Sequence, residues 1–339
     1  MRHSCCVPAA DAPAVPRAGT GCSPTATPAS GSASFPPVAP RGAEAGPQSL
    51  LHLAGGEFRM GSDGADAVPQ DGEGPPRRVA ISAFAIAAAT VTNREFAVFV
   101  RATRYVTDAE RCGTSFVFYL QLPAAARQSA RQVAAGLPWW LPVEFASWQR
   151  PEGPGTHVHA RPDHPVVHVS WNDCQAYCAW SGTRLPTEAE WEFAARGGFE
   201  GRTFPWGDDL ERDGVPRCNV WRGAFPNAPA AGWQPAPVAA RSGEPNGYGL
   251  YNVCGNVWEW CADWFSPAYH AETPTTDPRF VHPTGRRSMR GGSFLCHDSY
   301  CNRYRVAART SNTPESSASN CGFRVAGAAG ATPVPPRQP

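Results

Sequence analysis

Three helix starts are written into this chain, and each is stopped within about ten residues. Thr92 with Glu95, Ser170 with Asp173 and Thr187 with Glu190 have the spacing of capping boxes. In that motif the N-cap oxygen takes the N3 amide, and the N3 carboxylate returns to the cap amide. The first helix runs through Phe96, Phe99 and Val100, the second to Trp180 before Gly182, and the third from behind Pro186 to Gly197. Tyr177, Trp180, Trp191 and Phe193 fall at core-packing positions on them. The strand-like runs, Val79–Phe84, Val166–Val169 and Phe323–Ala326, are short too. Between these pieces lie loops rich in the 33 glycines and 36 prolines of the 339 residues. The pattern predicts a single compact α+β domain with little regular secondary structure. Backbone groups in such loops lack ladder partners, so side chains, waters or bound ions must satisfy them.

A net charge of +1 with no basic cluster argues against nucleic acid as a partner. No stretch approaches the length of a membrane span. Residues 1–49 are dominated by Ala, Pro, Ser and Gly, and Phe35 is their only aromatic. Such a segment buries too little surface to offset its ordering entropy and reads as a disordered extension. No apolar run follows Arg2 and His3, so it does not read as a secretory signal. The expected organisation is this extension, a domain over 50–326 and a disordered tail over 327–339. Twelve cysteines in a chain neither short nor visibly exported do not read as a disulfide framework. Cys174 and Cys178, one helical turn apart, are expected to pack rather than bridge. All 30 cationic residues are arginine, which with the Ala and Pro content points to a GC-rich genome, and the expected location, from the cysteine usage, is a bacterial cytoplasm.

Chemistry concentrates at RGGSFLCHDSYCNRYR, residues 290–305. Gly291 and Gly292 allow a bend or a close backbone approach. Cys296 and Cys301 would point to different faces of a helix, but a loop can fold them together. Around them stand His297, Asp298, Ser299, Tyr300 and the arginines 303, 305 and 309. A disulfide or two buried thiols is one reading. A soft metal is another, because two thiolates suit Cu(I). Zinc would want four ligands, and no second Cys/His pair stands at finger spacing.

The run from Arg290 to Val325 resembles the signature of the formylglycine-generating enzymes, the sulfatase-modifying family. The likeness extends to GGEFRMGS (55–62), HPVVHVSWNDCQAYCAWSGTRLPTEAEWEFAARGG (164–198), PWGDD (205–209), CNVW (218–221) and NGYGLYNVCGNVWEWCADWF (246–265). GTRLPTEAEWEFAARGG marks only the broad superfamily. The cysteine pair followed by SNTPESSASN marks the enzyme. The resemblance implies a C-type-lectin-like fold, which agrees with the pattern above. It also implies a copper-dependent oxidase that uses dioxygen to convert the cysteine of a Cys-x-Pro-x-Arg segment in a sulfatase to Cα-formylglycine. An external thiol reductant and a monomeric enzyme go with it. By the resemblance Cys296 and Cys301 hold Cu(I), Ser293, Tyr300 and Trp258 surround the reacting sulfur and oxygen, and His297, Arg309 and Asn320 border the peptide. Secreted relatives carry disulfides at positions that here are Ala195, Val306 and Val325.

The resemblance also implies calcium, bound by Asn252, the carbonyls of Gly255 and Val257, and Glu259. A second site would use Asn219 and the carbonyl of Val220, but Ala231 stands where its acidic ligand belongs. Two other readings compete. One is a non-catalytic binding module on the same scaffold. The other is a relative of the iron-dependent sulfoxide synthases, which needs a His-x3-His-x-Glu motif in a further helical domain, whereas His157 and His159 stand too close together in a Gly/Pro loop.

Overall fold

The computed structural model describes residues 50–130 and 132–330. The expected extension over 1–49 and the last nine residues lie outside them. All three foreseen capping boxes are formed, on α1 (Asn93–Thr103), α4 (Trp171–Ser181) and α5 (Glu188–Arg196). Thr107 and Glu110 form a fourth, on the single-turn helix α2 (Asp108–Cys112). Its signal is present in the sequence, but no apolar run follows to advertise a helix. Two further short helices are α3 (Ala124–Ser129) and α6 (Tyr269–Glu272).

Two sheets organise the domain. In one, the strands Arg309–Asn312, Arg287–Arg290, Trp258–Trp264 and Cys321–Gly322 lie side by side in that order. In the other, Phe84–Ala87 runs between Leu50–Leu53 and Ala326–Ala328, so the first and last described strands flank the same neighbour. Gly327 and Ala328, expected in the tail, therefore belong to the domain. Hairpins pair Gly56–Met60 with Arg77–Ile81 and Thr114–Phe118 with Trp140–Glu144. Helix α5 packs on the strands Trp258–Trp264 and Arg287–Arg290, burying Trp191, Phe193 and Ala194.

The short strand expectations fare unevenly. Val79–Phe84 divides into the ends of two strands, because Ser82 turns away to bond Asp277 through its amide and hydroxyl at 2.7 and 2.6 Å. Val166–Val169 forms no strand: His168 adopts φ +59°, which ends an extended run, and its ring is held by Ser115 and the Pro151 carbonyl. In Phe323–Ala326 only Ala326 joins a strand, while the carbonyls of Phe323 and Val325 accept from Val91 and Ala87. Cys174 and Cys178 are buried free thiols, packed as expected.

Five arginines of the C-terminal part bind carboxylates from far earlier in the chain. Arg303 pairs with Asp71, Arg305 with both oxygens of Glu73, Arg309 with both oxygens of Glu188, Arg290 with Glu192, and Arg324 with both oxygens of Glu259. Each guanidinium is nearly or wholly buried, and the fork of donors meets the flat carboxylate that suits it. These pairs hold the loops that regular structure does not.

Candidate functional site

The strand Arg287–Arg290 delivers the chain to Gly291 and Gly292, which adopt φ +94° and +76°. A Cβ on Gly292 would stand 2.7 Å from the Arg303 carbonyl and 2.8 Å from Tyr304 Cα. Only glycine lets the chain leave this point and return against it at Arg303 and Tyr304, eleven and twelve residues later.

Between departure and return the chain makes two tight turns. In the first, the Cys296 amide donates to the Ser293 carbonyl (2.9 Å) and the Ser293 amide donates to Cys296 Sγ (3.4 Å). In the second, the amides of Tyr300, Cys301 and Asn302 all reach the His297 carbonyl, at 3.1, 3.0 and 3.0 Å. That convergence folds Cys301 back toward Cys296, which its sequence spacing alone does not require. Trp221 donates to the Cys296 carbonyl and Phe294 to that of Asn256, anchoring the loop from outside. Both cysteines lie outside any disulfide and both are buried.

An opening lies on each side of this loop. Cys296, His297, Asp298 and Tyr304 line a cavity of about 560 Å³ with Trp221 and Trp233. Cys301, Tyr300, Asn302 and Arg303 line a second, of about 830 Å³, against Asp66 and Gln70. Asp298 borders both. His297 sits on the rim with Nδ1 2.8 Å from the Ser299 hydroxyl and from an Asp298 oxygen. Tyr300 stacks on Phe225 at 4.4 Å between ring centres and meets Trp139 edge-on at 5.0 Å, so two aromatics fix its position.

Ser293, Asn320 and Trp258 are joined. Asn320 Nδ2 donates to Ser293 Oγ (3.0 Å), and the Asn320 carbonyl accepts from the Trp258 amide (2.8 Å). The Trp258 indole N–H is buried and has no hydrogen-bond partner. Such a donor is costly to leave unmade. Tyr304 was missed in the sequence, where it reads as one aromatic between two arginines. Burial raises its phenol pKa above the ordinary value, helped by the charges of Asp298, Cys218, Cys296 and Cys301, so it lies among the thiols. Its ring stacks on Phe204.

Arg309 does not join this group. Its Nε and Nη2 bind Glu188 at 2.7 Å each, and Nη1 takes the carbonyls of Asp71, Gly72 and Ser266. All three guanidinium nitrogens are bonded in the interior, where the side chain is buried. Its part is structural: it ties α5 to the loop that also binds Arg303.

The proposed metal ligands divide. Two buried thiols on adjoining turns, one of them receiving a backbone N–H, suit a soft monovalent ion, so the donor chemistry at Cys296 and Cys301 fits Cu(I). Among the described residues no group of three or more His, Cys, Asp or Glu gathers to hold a metal. The calcium assignments do not fit the side chains as they lie. Glu259 accepts from Arg324 and from Trp191 Nε1, and Arg324 also takes the carbonyls of Ala87, Ala88 and Tyr251. A guanidinium already serves as the cation there. Asn252 donates through Nδ2 to the carbonyls of Ala239 and Ala240 and to the Ser242 hydroxyl. With Glu259 engaged by Arg324, the carbonyls of Gly255 and Val257 are left without a charged partner ligand. At the second position Asn219 donates to the Ala236 carbonyl and to Asn256 Oδ1, its own carbonyl accepts from Asn256, and neighbouring Val220 is buried core.

Comparison with known proteins gives one consistent result. The model of the sulfatase-modifying factor enzyme 1-like domain matches residues 36–329. A formylglycine-generating enzyme of Streptomyces coelicolor is 56% identical over 279 residues, covering 81% of this chain and 88% of that protein. One of Thermomonospora curvata is 55% identical over 285 residues, covering 82% and 93%. Among solved structures, PvdO from Pseudomonas aeruginosa is similar in fold alone, with a TM-score of 0.60 at 24% identity, covering 83% of this chain and 94% of that one.

Proposed function

The chain belongs to the sulfatase-modifying factor enzyme 1-like family, and from that membership we propose that it matures sulfatases by converting a cysteine to Cα-formylglycine. The observation that supports this most is the pair of buried cysteines outside any disulfide, Cys296 and Cys301, on one loop between two openings. A module that only binds peptide has no need of two buried thiols there. In this reading the substrate is an unfolded or nascent segment of the form Cys-x-Pro-x-Arg. It lies extended across the loop, and Asp66, Glu211 and Asp298 on the rims complement its arginine.

Cys296 and Cys301 would hold Cu(I), which supplies the affinity for a third thiolate and for dioxygen. The rest of the chemistry falls to the chain. The Ser293 amide, donating to Cys296 Sγ, favours the thiolate over the thiol. Asn320 fixes the Ser293 hydroxyl beside that sulfur, and the unpartnered Trp258 indole N–H is a donor kept in reserve for a group that arrives with substrate. Tyr300, held between Phe225 and Trp139, walls the Cys301 side. Burial of both thiols keeps bulk water from the reacting sulfur. Electrons come from an external thiol. The reading carries with it a monomeric enzyme in the cytoplasm, and that none of the nine described cysteines is in a disulfide supports the reducing compartment.

The test is mass spectrometry of a Cys-x-Pro-x-Arg peptide incubated with the copper-loaded protein, a thiol and air. Loss of sulfur with appearance of an aldehyde is expected. A peptide that binds and is recovered unchanged would establish the binding-module reading instead.

A further inference from the structure

A second pair of thiols lies beneath a different cavity. Cys218 and Cys254 are both free, and both line a space of about 350 Å³ walled by Trp206, Arg212, Arg217 and Glu244. Their segments meet at a parallel bridge, Asn219 opposite Gly255, where the Asn256 amide donates to the Asn219 carbonyl at 2.7 Å. A Cβ on Gly255 would stand 2.4 Å from that carbonyl, so the two backbones touch. Cys218 and Cys254 are the residues immediately before the bridge on each segment. The spacing of parallel neighbours, about 5 Å, falls inside the Cα–Cα range of about 4.4–6.8 Å that a disulfide spans.

We propose that Cys218 and Cys254 form a second redox site, which a small anionic disulfide entering this cavity oxidises to an internal disulfide. Cys218 is the more accessible of the two, 8% exposed against 1% for Cys254, and makes the first attack. Its thiolate displaces one thiolate from the external disulfide and forms a mixed disulfide. Cys254, giving up its proton, then attacks Cys218 Sγ and expels the second thiolate. Two electrons pass from the protein to the external disulfide, which leaves as two thiols. The charge preference comes from the rim, where Arg212 and Arg217 share the single carboxylate of Glu244 at 3.6 and 3.0 Å, leaving one positive charge in excess.

The pair is placed to report on the other site. The Cys218 segment continues into Trp221, which anchors the Cys296 carbonyl, and the Cys254 segment into Gly255 and Asn256, which anchor Gly291 and Phe294. A Cys218–Cys254 bond would lock together the two supports of the loop that carries Cys296 and Cys301.

The experiment treats the full-length protein with glutathione disulfide without air, then maps peptides by mass spectrometry without reduction. The expected product is a linked Cys218–Cys254 peptide pair, two hydrogens lighter than the separate peptides. In Cys254→Ser the glutathione should remain trapped on Cys218, and in Cys218→Ser Cys254 should stay unmodified. Exposed Cys112 is the internal control for the reagent. Recovery of Cys218 and Cys254 as free thiols from protein already modified at Cys112 would overturn the proposal. The readout is a mass, so it stands or falls independently of turnover on sulfatase peptides. An equal rate with the uncharged 2-hydroxyethyl disulfide would overturn the anionic preference.

Discussion

Glu259 and Arg324, sixty-five residues apart, meet as a wholly buried pair in which both carboxylate oxygens accept from the guanidinium, at 2.5 and 2.7 Å. Glu259→Ala leaves that guanidinium unmatched in the interior and should lower stability by about 3–5 kcal/mol. Thermal unfolding with and without added calcium distinguishes the causes. Equal melting in calcium and in chelator is expected, and recovery by calcium would show that an ion shares the carboxylate.

The thiol pair is expected to be separable from the fold. Cys296→Ser and Cys301→Ser each remove one soft donor while changing little volume, so both should melt close to the parent. Each should also abolish peptide conversion and high-affinity Cu(I) uptake, measured by competition with a chromogenic chelator. Full copper stoichiometry in both variants would remove the metal assignment.

Arg309→Lys tests the reassignment of that side chain. Lysine cannot reproduce two bonds to Glu188 together with contacts to three carbonyls, so a loss of several degrees in melting temperature is expected. The KM for peptide in the protein that remains folded should stay at the parental value. A rise in KM at unchanged melting temperature would return Arg309 to the peptide site.

Acid should act through Glu192. Burial alone would raise its pKa, but Arg196, Arg290 and the Gly61 amide outweigh that and hold it down to about 2 from an ordinary 4.5. A depressed carboxylate stabilises above its unfolded value, and the contribution is lost as pH falls from about 4.5 toward 2. The full effect is on the order of 3 kcal/mol. Denaturant melts across that window should show the slope in the parent and a flatter one in Glu192→Gln.

Gly292→Ala should damage the site. The new methyl would collide with the Arg303 carbonyl and Tyr304 Cα, backbone neighbours that cannot rotate aside, at a φ that alanine disfavours. Turnover should fall at least tenfold, and limited proteolysis should begin within 293–303. Parental turnover would mean that the return of the chain against Gly292 does not set the thiol geometry.

Much of the site could be read before the fold was seen, because its signals are local. The capping boxes declare α1, α4 and α5 within four residues each, and the glycine pair announces the close approach that Tyr304 makes. Signals that depend on distant partners could not be read in this way. Nothing near Arg309 shows that Glu188, 121 residues earlier, will engage it. Glu259 has the look of a cation ligand until Arg324 is folded against it. Val166–Val169 has strand composition, yet the contacts of His168 with Ser115 and Pro151 impose a left-handed turn in its midst.

The pairing of late arginines with early carboxylates also sets a clock on biosynthesis. Glu73 leaves the ribosome 232 residues before Arg305, which at about 5–20 residues per second is a wait of roughly 10–50 s. During that interval Asp71, Glu73 and Glu188 have no arginine to neutralise them, and the segments they belong to cannot close. The Cys296–Cys301 loop, which leads into Arg303 and Arg305, therefore closes against Asp71 and Glu73 only after those arginines have emerged. A partly made domain therefore cannot present Cys296 and Cys301 in the arrangement described above.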